Sequence, residues 1–224
     1  IAVGIAANTS IFSVVNAVLI QPLPVHQPDR LIRPDVRMAG GGGFLISTSI
    51  PNFKDWRERN RTLMSMGLNA NRQYTLTGGD RPAVINARII LGDFFETLGV
   101  PPTKGRWITA DQTDRGAPAI AVVTDRFAAE HLDPATDPIG QTITLDGEPF
   151  TIVGVMPPSF IFPSPETGVF LPMGYFADRM CWDQRGCSQG SWAVGRLKEG
   201  TTLANATADF DRIWREINAT EGQE

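Results

Sequence analysis

Three patterns of apolar residues divide the chain. The first is unbroken: residues 1–20 carry no charge, no proline and one glycine, and the first charged residue is Asp29. At ~1.5 Å per residue, twenty helical residues reach roughly 30 Å, the thickness of a hydrocarbon core. On a helical wheel Ile1, Ile5, Phe12, Val15 and Leu19 share one face, and Ala6, Ser10, Ser13 and Ala17 lie opposite. Large apolar groups suit lipid, and small or hydroxylated ones suit close approach of a second helix. Pro22 and Pro24 remove donors and end the helix near Gln21. Residues 1–24 therefore read as the outer part of a transmembrane helix and the start of a neck. The competing reading is a buried amphipathic helix of a soluble protein, to which Asn8, Thr9, Ser10, Ser13 and Asn16 lend weight. The sequence opens without a methionine or a basic n-region, so it is not a standard signal peptide and reads as a fragment or processed piece.

The second pattern is alternation, the mark of strands. Residues 31–38 read as a short strand that Pro34 confines to an edge. Residues 67–77 and 83–90 flank Gly78-Gly79-Asp80 as a hairpin. Residues 119–124 form a buried strand with a helix over 125–132 behind it. Residues 141–155 alternate around Asp146-Gly147, a pair that supplies the positive φ angles of a type I′ turn. Residues 169–176 are extended, and 192–197 are a strand. Residues 157–165 form a proline-rich connector.

The third pattern has helical period. Over 47–66, Ser49 caps a helix, Pro51 suits its first turn, and Phe53, Trp56, Leu63 and Met64 fall near one face. The charges over 54–61 read as its solvated side. Residues 92–99 form a short helix burying Phe94, Phe95 and Leu98, with Gly99 as its stop. From Thr202, Leu203, Ala206, Phe210, Ile213, Trp214 and Ile217 make one apolar stripe. A helix leaving a sheet normally returns to a strand, so the domain is expected to continue past Glu224.

Composition adds limits. With 224 residues there is room for one large domain or two small ones. Net charge is −4, scattered in both signs, and no basic stripe recommends a nucleic-acid partner. The 22 glycines and 17 prolines favour short elements joined by turns. The glycine run over 39–43 matches neither a dinucleotide-binding nor a Walker A loop and reads as a mobile loop.

Candidate chemistry is sparse. His26 lies among prolines in the neck, and His131 sits near a helix C-terminus, where the dipole favours a cation. Each reads as a non-catalytic position. No GxSxG, HExxH or CxxC motif occurs. Asn8, Asn205 and Asn218 head N-x-S/T triplets that read as coincidences. Cys181 and Cys187 are separated by five residues in a loop of turn formers. In an oxidising space they can close a disulfide contributing roughly 2 kcal/mol, less any strain. Two free thiols or half a metal site are the alternatives, although a zinc site wants four ligands. No cofactor, metal or catalytic residue is expected, and the chain reads as a non-enzyme.

Five segments carry a resemblance: ANTSIFSVVNAVLIQPLP, SIPNFKDWRERN, LGDFFETLGVPPTKGRWIT, GQTITLDGEPFTIVGVMPPSFIFP and VGRLKEGTTLANA. In this order, from Ile1 to about Ile217, the chain resembles the periplasmic core domain of MacB-type ABC transporter permeases. The nearest branch is the acidobacterial duplicated orphan permeases. The pattern departs where Gln21 replaces an arginine and Val25-His26 an aromatic-proline pair, and the cysteine loop is not a family feature.

The resemblance implies an α+β fold with porter-like β-α-β units and an inserted β-rich, Sabre-like subdomain, preceded by the end of a transmembrane helix. Residues 25–77 and 170–224 would form the discontinuous porter-like part, without its closing strand, and 78–169 the insertion. The implied function is a non-catalytic periplasmic domain that couples conformational change in the membrane and an ATPase to export or signalling. The alternative is a membrane-anchored extracytoplasmic module that binds a ligand or peptide. The implied setting is the bacterial inner membrane with the globular part in the periplasm. Implied partners are a separate ATPase subunit, a periplasmic adaptor and a second copy of the full-length chain. Pro22, Pro24 and Pro28 are the candidate mechanical neck between membrane and domain.

Overall fold

In the computed structural model, residues 25–34, 47–78, 82–188 and 190–221 are described. The expected membrane segment over 1–24 and the glycine run over 39–43 lie outside them. Among the described residues no helix is long and apolar enough to cross a membrane.

The alternating segments become strands of one mixed sheet. They are β1 (Leu31–Ile32), β2 (Leu63–Thr77), β3 (Ala83–Gly92), β4 (Lys104–Gly105), β5 (Ile120–Thr124), β6 (Thr142–Leu145), β7 (Glu148–Met156), β8 (Thr167–Pro172) and β9 (Trp192–Leu197). The order is β1-β9-β2-β3-β8-β5-β7-β4. The two ends of this path, β1 and β4, are two residues each, which leaves little bare edge. β6 pairs with β7 and also with the far end of β2, through Leu76↔Leu145 and Thr77↔Thr144. Strands β2, β3, β8, β5, β7 and β6 thus pair around a closed ring, a small barrel filled by side chains. At the β6–β7 turn, Asp146 (φ 48°) and Gly147 (φ 83°) take the conformations expected of the Asp-Gly pair.

Two apolar clusters follow from strand alternation. Leu68, Ile89, Val123, Leu171 and Ala193 point to one face and join Ile143 and Phe150 from β6 and β7. This cluster continues under α1 (Ile50–Arg59) and α4 (Leu203–Glu221), where Trp56 meets Phe210 edge to face at 5.4 Å. The other face carries Ile90, Val122, Phe170 and Val194 against α2 (Phe94–Leu98). α3 (Asp125–His131), capped by Thr124 Oγ1, adds Phe127 to the first cluster. Within that cluster, burial pushes the Tyr74 phenol up to about 12, and its ring packs 5.9 Å from Phe176.

The helix expected over 47–66 is shorter. Ser49 caps it and Pro51 lies in its first turn, as the residues suggest, but it ends at Arg59. Asn60 Oδ1 accepts from the backbone N–H of Thr62 and Leu63 and turns the chain into β2. Leu63 and Met64 therefore alternate as strand residues, one buried and one 60% exposed, instead of sharing a helix face. On α4, Ala206, Ile213 and Ile217 are buried, whereas Leu203 is exposed. The strand expected over 31–38 is only Leu31–Ile32, at the edge as Pro34 requires, with 35–38 outside the described residues.

α2 lies so close to β2 that a Cβ on Gly67 would stand 2.4 Å from the Phe94 Cα. A backbone atom cannot step aside as a flexible side chain can. Gly67→Ala is expected to cost about 2 kcal/mol, as overpacking of a tight core does. Urea denaturation should show a lower midpoint with an unchanged slope.

Candidate functional site: the joint between neck and sheet

Residues 25–34 are tied to the sheet at several points. Gln27 adopts φ 43°, and Pro28 then starts a 3-10 turn over Pro28–Arg30. Of the three neck prolines, Pro28 is described and Pro22 and Pro24 lie outside the described residues. β1 follows and pairs antiparallel with β9, Leu31 opposite Arg196 and Ile32 opposite Gly195. The His26 N–H donates to Leu98 O at 3.1 Å, tying the neck to the end of α2. Gly99, at φ 68°, leaves room there, since a Cβ would stand 2.8 Å from the His26 Cβ.

Arg196 sits at the centre of this joint and is 2% exposed. Its Nε donates to Thr97 O at 2.8 Å, and its Nη2 to His26 O at 2.6 Å and Leu98 O at 3.4 Å. Its Nη1 donates to Gln27 O at 3.3 Å. Thr97 and Leu98 close the last turn of α2, where carbonyls lack helical partners. One guanidinium therefore joins the free carbonyls of a helix end to those of the neck. A second cation reinforces the joint from the neck side: Arg30 Nε and Nη2 donate to Leu197 O at 3.1 and 2.7 Å. Burial, followed by repulsion from Arg30, lowers the Arg196 pKa, and Asp29 opposes the shift. An arginine keeps its charge at neutral pH through such a shift.

Sequence patterning passes over Arg196. The available signal is a single cation inside the otherwise apolar strand Trp192–Leu197.

The opposite face has its own joint. Asp209 of α4 accepts from the Arg61 N–H at 2.6 Å and from Arg212 Nη2 at 2.7 Å. Burial pushes its carboxyl up, but these donors outweigh burial and hold it below the ordinary carboxylate value. Arg212 Nη2 also donates to Arg59 O at 2.9 Å, so α4 is fastened to the end of α1.

The structure pairs Cys181 with Cys187, Cα atoms 6.1 Å apart, in a loop against α1. His131 ends α3 beside Phe127, ring centroids 4.9 Å apart, and His26 contributes its backbone to the neck. Among the described residues, no three of His, Cys, Asp or Glu gather as a metal-binding group. Two open clefts flank α1. One, of about 480 Å³, is crossed by the pairs Lys54–Asp114 and Arg57–Asp93, both 2.9 Å. The other, of about 500 Å³, lies between Pro34, Trp56, Phe210 and Trp214.

The MacB-like periplasmic core domain family matches residues 1–213. Among solved structures, the periplasmic region of MacB from Actinobacillus actinomycetemcomitans is similar at TM-score 0.65 and 13% identity, over 91% of this chain and 90% of that one. The extracellular domain of the noncanonic ABC-type transporter YknZ from Gram-positive bacteria is similar at TM-score 0.61 and 12% identity, over 86% and 95%. A permease domain from Porphyromonas gingivalis is similar at TM-score 0.60 and 13% identity, over 84% and 81%. At these identities the structures speak to the fold alone. No curated protein sequence gives a match.

Replacing Arg196 by methionine keeps most of the packing and takes the guanidinium donor from the carbonyls of Thr97 and His26, while Leu98 O keeps the His26 N–H. The expected loss is about 3 kcal/mol or more. Arg196→Lys should recover only part of it, because an ammonium lacks the planar fork. Urea midpoints of the two variants and the wild type check the order.

Proposed function

Because the chain belongs to the MacB-like periplasmic core domain family, we propose that it couples conformational change in the membrane to the extracytoplasmic space without catalysing a reaction. The observation that supports this reading is the Arg196 joint. The neck is tied to α2 and β9 by the Arg196 guanidinium, by the His26 N–H and by the β1–β9 pairing, which gives a displacement of residues 25–32 a path into the sheet. A loose linker would transmit nothing, and a neck held at both strand and helix transmits force.

In this reading residues 1–24 anchor the protein in the bacterial inner membrane, and Pro22, Pro24 and Pro28 stiffen the passage into the domain. Residues 25–77 and 170–224 serve as the porter-like part, and 78–169 as the inserted β-rich part. A separate ATPase subunit supplies energy, a periplasmic adaptor receives the motion, and the full-length chain works as a homodimer. The periplasm is oxidising, which suits a bonded Cys181–Cys187 pair.

The test uses the full-length permease. Pro22→Gly together with Pro24→Gly is expected to abolish the nucleotide-dependent change in a spin-label distance between the domain and the membrane segment. The thermal midpoint of the domain should not move. An unchanged distance response in the double variant would refute coupling through the neck.

A further inference from the structure

The ring closed by the cysteines carries more than a staple. Between Cys181 and Cys187 stand Trp182, Asp183, Gln184, Arg185 and Gly186. Trp182 is 3% exposed, with Lys54 Nζ of α1 5.0 Å from its ring centroid and Arg115 Cζ at 5.7 Å on the same ring. Arg185 Nη1 donates to Asn52 Oδ1 at 2.6 Å and pairs with Asp55 Oδ2 at 2.7 Å, both on α1. Asp183 takes Arg115 Nη2 at 2.5 Å. Beyond the ring, Ser188 bonds Ser47, and Ser191 Oγ donates to Thr48 O at 2.5 Å. The ring thus presents a buried aromatic and a cation to the first half of α1.

Within the ring, the Gln184 N–H donates to Cys181 O at 3.3 Å and the Cys187 N–H to Gln184 O at 3.2 Å, both turn bonds rather than strand or helix ladders. Without the cross-link, holding Trp182 and Arg185 on α1 costs the entropy of ordering a glycine-containing loop.

We infer that the Cys181–Cys187 ring is a redox latch that holds α1 on the sheet, and that a dithiol protein opens it. The inference rests on the reading above that the pair is bonded in the extracytoplasmic space. In opening, one thiolate of the dithiol attacks one sulfur, forming a mixed disulfide and releasing the other cysteine, which takes up a proton. The second thiol of the dithiol then resolves the mixed disulfide. The partner leaves as a disulfide, and two electrons and two protons have moved to the ring. The freed loop lets go of Asn52, Lys54 and Asp55, so α1 opens more often over Phe53 and Trp56.

Alkylation of the unfolded full-length chain without reductant, read at the peptide that carries 181–187, comes first. Neither Cys181 nor Cys187 is expected to be alkylated, and alkylation of both would end both the bonded reading and the latch. Amide exchange over 52–60 is then compared in oxidised protein and after dithiothreitol. Reduction should speed it about tenfold, leave β3 and β5 unchanged, and reverse on reoxidation. Arg185→Ala, with the disulfide intact, should speed the same amides several-fold. Unchanged α1 exchange in protein shown to be reduced overturns the latch while sparing the bonded reading. Equal acceleration of β3 and β5 also overturns it, by making the bond a global staple.

Discussion

A buried guanidinium surrounded by carbonyl oxygens is the constraint on which this structure turns. Arg196 spends its donors on backbone groups of two different segments, the end of α2 and the neck. An apolar side chain at this position would fill the space and leave the buried Thr97 carbonyl without this donor. A lysine would satisfy fewer of the carbonyls, since its donors do not lie in one plane. The arrangement ties the neck both to β9 and to the end of α2.

From that joint a continuous path runs through the domain. β9 carries Arg196 and pairs with the first half of β2. β2 spans 15 residues, roughly 50 Å of extended chain. Its far end pairs with β6 and closes the barrel. The neck and the barrel rim are therefore joined by one strand, with the barrel's packed interior resisting bending. On the other face, Asp209 and Arg212 tie α4 to the end of α1, so the helical layer is fastened to the turn where β2 begins. In the proposed coupling, β2 is the lever and the neck is where it is pushed.

Much of this was legible in the residues. The Asp146-Gly147 turn, the cap at Ser49, the stop at Gly99 and the strand Trp192–Leu197 follow from local chemistry, and each stands where that chemistry puts it. The helix expected over 47–66 runs past its true end because Leu63 and Met64 fit a helical face as well as a strand. Asn60 decides between them by accepting hydrogen bonds that no periodicity reveals. Barrel closure was illegible for a different reason: two residue pairs between β2 and β6 create it, and they lie far apart in sequence. Arg196 is the largest omission. A single cation in a strand reads as a surface position until its partners are known, and here all of those named are backbone carbonyls from distant segments.

If the neck is part of the folded sheet, its amides share the protection of the strand beside it. Site-resolved amide exchange in the wild-type full-length protein, comparing His26 and Arg30 with Val194 and Gly195 of β9, reads this out. The neck amides are expected to exchange as slowly as those of β9 and to open with them in one step. Fast exchange at His26 and Arg30 beside a protected β9 would show the neck to be separate from the sheet.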